Sequence, residues 1–155
     1  MQLYLLRHAD ADTRAATDDE RTLSEKGEQQ ALRVADFCKA RGLKPDAILA
    51  SPLPRAQQTA KPVAKAFSME VTTARWLACG AVPAATVAQL AERKSLHAVM
   101  LVGHEPDMSR LVAHLIGAEN GDVIHIRKAS LTAIEVVAFQ AGGGVLDFSI
   151  PVKLM

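Results

Sequence analysis

Residues 2–8 of the chain read Gln2-Leu3-Tyr4-Leu5-Leu6-Arg7-His8, a short apolar run that ends in two basic side chains. A run of this length and composition is typical of a strand that is buried on both faces of a parallel sheet. Two further apolar runs occur at residues 47–50 and 99–102. We therefore predict that these three segments are neighbouring parallel strands.

Apolar residues at helical spacing separate these runs. The first stripe recurs at i, i+3, i+4 and i+7, with Ser24 as the predicted N-cap and Gly42 beyond the C-terminus; its members are Ala31, Val34, Ala35 and Cys38. Further stripes occupy residues 56–67, 87–91 and 108–116, and each predicts a helix. Pro62 falls inside the 56–67 stripe and is expected to remove one helical hydrogen bond.

After Lys128 the pattern changes to β-branched alternation at residues 131–139 and 145–152, with three glycines at 142–144 between them. This pattern predicts an antiparallel hairpin. Strands that alternate with helices predict an α/β fold, a three-layer α/β/α sandwich with a mainly parallel central sheet and this C-terminal antiparallel hairpin. At 155 residues, the chain is expected to form one domain over residues 1–155.

Composition excludes several classes of protein. Eighteen Lys plus Arg against seventeen Asp plus Glu leave a net charge of +1, and there is no basic tail, so neither a nucleic-acid partner nor a membrane partner is expected. No apolar span of eighteen residues occurs, and the residues at the start of the chain are not expected to form a secretory leader. Cys38 and Cys79 lack the spacing of a zinc site and are expected to be free thiols. Free thiols, together with the lack of a leader and of a long apolar span, predict a cytoplasmic protein.

Basic side chains follow each predicted parallel strand. Arg7 and His8 follow the first, Arg55 follows the second after a Ser-Pro-Leu-Pro segment, and His104 and Glu105 follow the third. Ligands bind outside the carboxyl ends of parallel strands, so these groups are expected to meet. Two guanidiniums at one place repel each other unless an anion binds, and their planar donors match phosphate oxygens. The sequence lacks the glycine-rich loops that hold nucleotide phosphates, which leaves a phosphate site of another kind.

Three motifs carry a resemblance to a known family, namely Leu6-Arg7-His8-Ala9, Ser51-Pro52-Leu53-Pro54-Arg55-Ala56-Gln57-Gln58-Thr59 and Val102-Gly103-His104-Glu105-Pro106. With them, the chain resembles the histidine phosphatase superfamily, and most of all its short SixA-like phosphohistidine phosphatase branch. The resemblance covers nearly the whole chain, including an Arg21-x-Leu23-Ser24-x-x-Gly27 segment before the first helix. Ala9 stands where many relatives have Gly, and this small side chain is not expected to disable the site.

The resemblance implies that His8 is the nucleophile and is transiently phosphorylated, while Arg7, Arg55 and His104 hold the phosphoryl group. An imidazole must be neutral to attack, and its ordinary pKa of about 6.5, lowered further by two guanidiniums, meets that need. The same cations would stabilise the charge of a loose phosphoryl transition state. We therefore expect neither a metal ion nor any other cofactor.

The residue that would act as general acid is not evident from the motifs. Many phosphomonoesterases of the superfamily carry Glu or Asp in a stretch that here, at residues 73–81, contains no carboxylate. The remaining candidates for an acid or a substrate-binding loop are Asp18, Asp19, Glu20, Arg21 and Glu105. An ester leaves as an alkoxide, whose conjugate acid has a pKa of about 15.7, whereas phosphohistidine leaves as an imidazole with a pKa of about 6.5. The missing acid therefore favours cleavage of phosphohistidine.

The small size of the chain favours a macromolecular substrate. The 48 residues between Arg55 and His104 are nearly all needed for helices and a strand, so no lid domain is expected. An uncapped pocket admits a side chain that projects from a folded partner. The predicted function is a protein phosphohistidine phosphatase in signalling or phosphotransfer. The alternatives are a small-molecule phosphomonoesterase or mutase with the same pocket, and a phosphate-binding module that has lost its activity.

Overall fold

A central sheet of six strands organises the computed structural model, which describes residues 1–155. The strands are β1 (Gln2–Arg7), β2 (Ala47–Ala50), β3 (Val71–Thr73), β4 (Ala98–Gly103), β5 (Leu131–Val136) and β6 (Gly144–Ile150). They lie in the order β3-β2-β4-β1-β5-β6. β2 pairs in parallel with β3 and β4, and β4 with β1, whereas β5 is antiparallel to β1 and to β6.

Four helices cover the two faces of the sheet. They are α1 (Glu25–Ala40), α2 (Pro54–Ala66), α3 (Pro83–Ala91) and α4 (Asp107–Ile116). α1 and α2 pack on one face, where the core includes Val34 and Ala60, and α3 and α4 pack on the other, where it includes Leu90 and Leu111. The predicted three-layer α/β/α fold with a C-terminal antiparallel hairpin is therefore confirmed.

The residues predicted to begin and end α1 do so in the structure. Ser24 is the N-cap and its Oγ accepts a hydrogen bond from the backbone N–H of Gly27 at 3.1 Å. A side chain at Gly27 would overlap the backbone of Asp10, so only glycine allows this close approach. Gly42, with φ of +66°, follows the C-cap in the left-handed conformation that glycine adopts without strain. All four residues of the predicted stripe, Ala31, Val34, Ala35 and Cys38, are buried.

The hairpin strands are shorter than the sequence pattern predicts. β5 ends at Val136 rather than at residue 139, because the backbone N–H groups of Val137 and Ala138 both donate to the carbonyl oxygen of Gly143 in the turn. β6 ends at Ile150, where Pro151 has no N–H for a further ladder bond. In α2, by contrast, the helix continues through Pro62 to Ala66.

The parallel register brings three chain segments together at the carboxyl ends of the strands. Arg7 of β1 is opposite Gly103 of β4, and Ala50 of β2 is opposite Val102 of β4. The next residues of these three strands are therefore neighbours, as the sequence analysis expects. None of the helices combines the length and the apolar composition that a membrane span requires.

Candidate active site

His8 lies directly after β1 and keeps a sheet hydrogen bond, since its backbone N–H donates to the carbonyl oxygen of Gly103 at 2.9 Å. Its Nδ1 lies 2.8 Å from the carbonyl oxygen of Ala9. A carbonyl oxygen only accepts, so this bond places the imidazole proton on Nδ1 and leaves the lone pair of the neutral ring on Nε2. The side chain is buried, and this burial, with the nearby charges of Arg55 and Arg7, lowers the pKa of His8 to about 3.

His104 follows β4 and faces His8, with ring centroids 5.2 Å apart. Its Nε2 lies 2.7 Å from Oγ of Ser51, the first residue after β2, and its Nδ1 is buried without a hydrogen-bond partner. Burial, followed by the charge of Arg55, lowers the pKa of His104 to about 4. Both imidazoles are therefore neutral near pH 7.

Arg55 lies in the first turn of α2 and is almost completely buried. Its guanidinium donates from Nη1 to the carbonyl oxygen of Asp18, and from Nη2 to the Asp18 carboxylate at 2.9 Å. Nη2 also approaches Sγ of Cys79 at 3.6 Å. The bond from Arg21 and the charge of Arg55 lower the pKa of Asp18. An anionic side chain of the loop before α1 thus lies on one of the two predicted phosphate-binding guanidiniums.

Arg7 is the last residue of β1 and directly precedes His8. Its Nη1 donates to the carbonyl oxygen of Ile126 at 2.7 Å, and its Nε is buried without a partner. Burial lowers the pKa of Arg7, while the charge of Glu105 opposes that change. The structure thus brings His8, His104 and both arginines to the same edge of the sheet.

Thr59 ties the His8 segment to α2, a role that the sequence analysis does not identify. Its buried hydroxyl accepts from the backbone N–H of Ala9 at 3.0 Å and donates to the carbonyl oxygen of Arg55 at 2.7 Å. One side chain therefore fixes the backbone beside one predicted catalytic residue relative to the backbone of another. The only sequence signal is that Thr59 belongs to the same motif as Arg55.

Asp107 is a second residue that the sequence analysis misses. Its carboxylate, buried in the first turn of α4, accepts from the backbone N–H groups of Gly80 and Ala81 at 2.8 and 3.1 Å. These bonds hold the segment that carries Cys79 against the site. The negative charge of Asp107 also opposes the lowering of the pKa of His104.

The other candidate residues differ in their surroundings. Arg21 donates to the backbone carbonyls of Asp12 and Ala11 and to the Asp18 carboxylate at 2.9 Å, so it stabilises the loop. The side chains of Asp19 and Glu20 are exposed and have no hydrogen-bond or ion-pair partner. No group of three or more His, Cys, Asp or Glu side chains is arranged to hold a metal ion.

Glu105 binds within its own segment. Its two carboxylate oxygens accept from the hydroxyl of Ser109 at 2.6 Å and from the backbone N–H of Ser109 at 3.2 Å. The side chain therefore binds the first turn of α4, and both of its oxygens are already hydrogen-bonded.

Comparisons with known proteins agree with this fold. A family model of the histidine phosphatase superfamily (branch 1) matches residues 3–78. An uncharacterised protein of Picosynechococcus sp. PCC 7002 is 33% identical over 142 residues, 86% of this chain and 84% of that protein. The phosphohistidine phosphatase SixA of Escherichia coli K12 is 28% identical over 123 residues, 77% of this chain and 76% of that protein.

Among solved structures, the protein histidine phosphatase SixA complexed with tungstate superposes with a TM-score of 0.89, at 22% identity and over 99% of each chain. The sequence matches define the class of this protein as a phosphatase, a hydrolase. The structural match shows the same three-layer α/β fold. The chain belongs to the histidine phosphatase superfamily, and within it to the SixA-like branch.

Proposed function

We propose that this protein removes phosphoryl groups from phosphohistidine side chains of other proteins, through a phosphorylated His8 and without a metal ion. One observation carries the proposal. The Nδ1–H of His8 is bound to the carbonyl oxygen of Ala9, and the pKa of His8 is lowered to about 3. A neutral imidazole with its lone pair on Nε2 is the form that can attack phosphorus.

The reaction has two balanced steps. In the first, Nε2 of His8 forms a bond to phosphorus as the bond between phosphorus and the substrate imidazole breaks, and the substrate imidazole, which keeps the proton on its other ring nitrogen, leaves as neutral imidazole. In the second, water attacks the phosphorus, the bond to His8 breaks, and inorganic phosphate leaves. His8 is then neutral again and ready for the next substrate.

Arg7, Arg55 and His104 would hold the phosphoryl oxygens in both steps. Arg55 is almost completely buried and Arg7 is half-buried, so their charges act in a medium of low effective dielectric. In the tautomer that carries the proton on Nε2, His104 can donate to a phosphoryl oxygen in place of the Ser51 hydroxyl that lies 2.7 Å away. Fixed donors and charges of this kind supply most of the catalysis of phosphoryl transfer. They do the work that a metal ion does in other phosphatases.

The carboxylates near the site support phosphohistidine rather than an ester as the substrate. Asp18 is ion-paired with Arg55 and Arg21, which favours its charged form and makes it a poor proton donor. Glu105 has both oxygens bound by Ser109. Without a strong acid, a good leaving group such as imidazole departs far more readily than an alkoxide.

The open approach to the site supports a protein substrate. Between Arg55 and His104 the chain forms only the rest of α2, the short strand β3, one 3-10 turn at Arg75–Leu77, α3 and the central strand β4. None of these elements is a separate lid, so a folded partner can present its side chain directly. Free thiols at Cys38 and Cys79 agree with a reducing, cytoplasmic setting, where a phosphohistidine phosphatase would serve signal transduction.

The test is a comparison of turnover for a phosphohistidine protein, a phosphoserine peptide and a sugar phosphate, with His8→Ala as the inactive control. We expect kcat/KM to be highest for the phosphohistidine protein. Faster turnover of the sugar phosphate would favour a small-molecule phosphomonoesterase. Oxyanion binding with no turnover of any of the three would favour a phosphate-binding module.

A further inference from the structure

A groove rich in cationic side chains adjoins the active site. It has a volume of about 440 Å³ and reaches Arg7 at one end. Five cations line it, contributed by β1, by the first turn of α1, by the segment before β5 and by the C-terminal turn; they are Arg7, Lys26, Arg127, Lys128 and Lys153. We call this feature the basic groove.

The charge of the basic groove is unbalanced. Its single carboxylate, Asp10, is ion-paired with Lys128 at 2.7 Å. Lys26, Arg127 and Lys153 have no carboxylate within ion-pair distance, although the whole chain carries a net charge of only +1. Cations that are collected in one groove repel each other, and an anionic ligand relieves this repulsion.

A second depression that also includes Arg7 in its lining is different. It has a volume of about 220 Å³, and its charged lining consists of Arg7 and Arg110 together with Glu105 and Asp122. Positive and negative charges balance there. The excess of positive charge is therefore a property of the basic groove and not of this second depression.

The shape and chemistry of the basic groove indicate which anion it fits. The cations come from separate elements, and Lys26, Arg127 and Lys153 are exposed at its rim. Three of the five are lysines, whose flexible ammonium groups act as point charges rather than as the planar fork that holds a single phosphate. Spaced, exposed point charges suit a series of carboxylates along a protein segment.

We propose that the basic groove binds a carboxylate-rich segment of the substrate protein, next to the phosphohistidine that enters the active site. This inference rests on the proposed function and adds the recognition surface to it. Because Arg7 belongs to both places, a segment in the groove leads directly to the phosphoryl site. Electrostatic attraction of this kind raises association rates by about 10–10³-fold at low salt and weakens as salt is added.

The test uses three synthetic peptides of equal length, each with one phosphohistidine flanked by Glu, by Gln or by Lys. We expect kcat/KM at low salt to be about tenfold or more higher for the Glu peptide than for the Lys peptide. The difference should shrink at high salt, where surface charges are screened. In the variant Arg127→Glu/Lys153→Glu the preference for the Glu peptide should disappear, while turnover of a small aryl phosphate stays unchanged.

The matched control is Lys65→Glu/Lys94→Glu, which makes the same charge change at exposed positions outside the groove. It should keep the preference. Equal rates for the three peptides, or an equal loss of preference in the control, would overturn the proposal. The proposal would also be overturned if the enzyme showed no preference among the peptides and polyphosphate inhibited the native enzyme but not the Arg127→Glu/Lys153→Glu variant. The groove would then bind a phosphate polymer. If no phosphohistidine peptide is cleaved while the aryl phosphate is, the proposed function itself fails.

Discussion

The carboxylate of Asp18 lies 2.9 Å from Nη2 of Arg55, so a side chain of the protein itself is bound to a guanidinium that we assign to phosphate. The Asp18 side chain is 62% exposed and that of Arg55 only 4%. The Asp18 side chain can therefore rotate into solvent while the Arg55 side chain keeps its position. A phosphoryl group held by Arg55, as we propose, would therefore compete with the Asp18 carboxylate for the same donors.

This competition predicts the effect of Asp18→Asn. The variant should bind phosphoryl substrates and tungstate more tightly, by up to about fivefold, because a partly exposed ion pair contributes about 0.2–1 kcal/mol. The maximal turnover rate should be largely retained. Steady-state kinetics and tungstate inhibition measure both quantities, with Asp19→Asn as the matched control. If Asp18→Asn alone slowed turnover by about a hundredfold or more, Asp18 would instead be the general acid.

The buried imidazoles predict an unusual pH response. Burial lowers the pKa of His8 to about 3 and that of His104 to about 4, so both rings stay neutral as the pH falls from about 7 to about 5. Imidazole nitrogen chemical shifts in NMR spectra report the protonation state directly, and His8→Ala and His104→Ala assign the signals. A midpoint near the ordinary value of about 6.5 for either ring would show that the site is more hydrated than the structure indicates.

The Thr59 hydroxyl predicts a positioning effect. Thr59→Val keeps the shape of the side chain but leaves the buried N–H of Ala9 without its acceptor, at a cost of about 1–3 kcal/mol. We expect lower stability and slower turnover, because the His8 segment is no longer tied to α2. Thr59→Ser restores the hydroxyl and should restore turnover; chemical denaturation and kinetics measure the two effects. If Thr59→Val were as active as the native enzyme, this bond would have no part in placing His8.

The lack of a free carboxylic acid predicts a steep dependence on the leaving group. Across a series of phosphate esters, kcat/KM should fall as the pKa of the leaving group rises, with aryl phosphates cleaved and alkyl phosphates hardly at all. Phosphohistidine should be among the fastest substrates. Replacement of Asp19, Glu20 or Glu105 by its amide should slow turnover by less than the roughly 10²- to 10⁴-fold typical of a general acid. Alkyl phosphates that react as fast as phosphohistidine would reveal an acid that we have not found.

The sequence predicts the sheet and the convergence of the four site residues well, because both depend on local patterns. Buried apolar runs mark the parallel strands, and the register of parallel pairing then brings the residues after Arg7, Ala50 and Gly103 to one edge. Ser24 and Gly42 mark the ends of α1 for equally local reasons.

The contacts that refine the site could not be predicted in the same way. The bond from Ala9 to Thr59 spans 50 residues, and those from Gly80 and Ala81 to Asp107 span 27 and 26. Such pairs depend on how helices pack against loops, which periodicity does not describe. The pairing of Asp18 with Arg55 likewise depends on the path of the loop before α1.

The measurement that tests the central claim most directly is rapid quenching of the enzyme during turnover, followed by mass spectrometry at neutral or alkaline pH. The account predicts acid-labile phosphate on His8, no label and no turnover in His8→Ala, and a rate lower by orders of magnitude in His104→Ala, which loses a donor worth about 3 kcal/mol. Phosphate trapped on any other residue, or full activity in His8→Ala, would contradict the account.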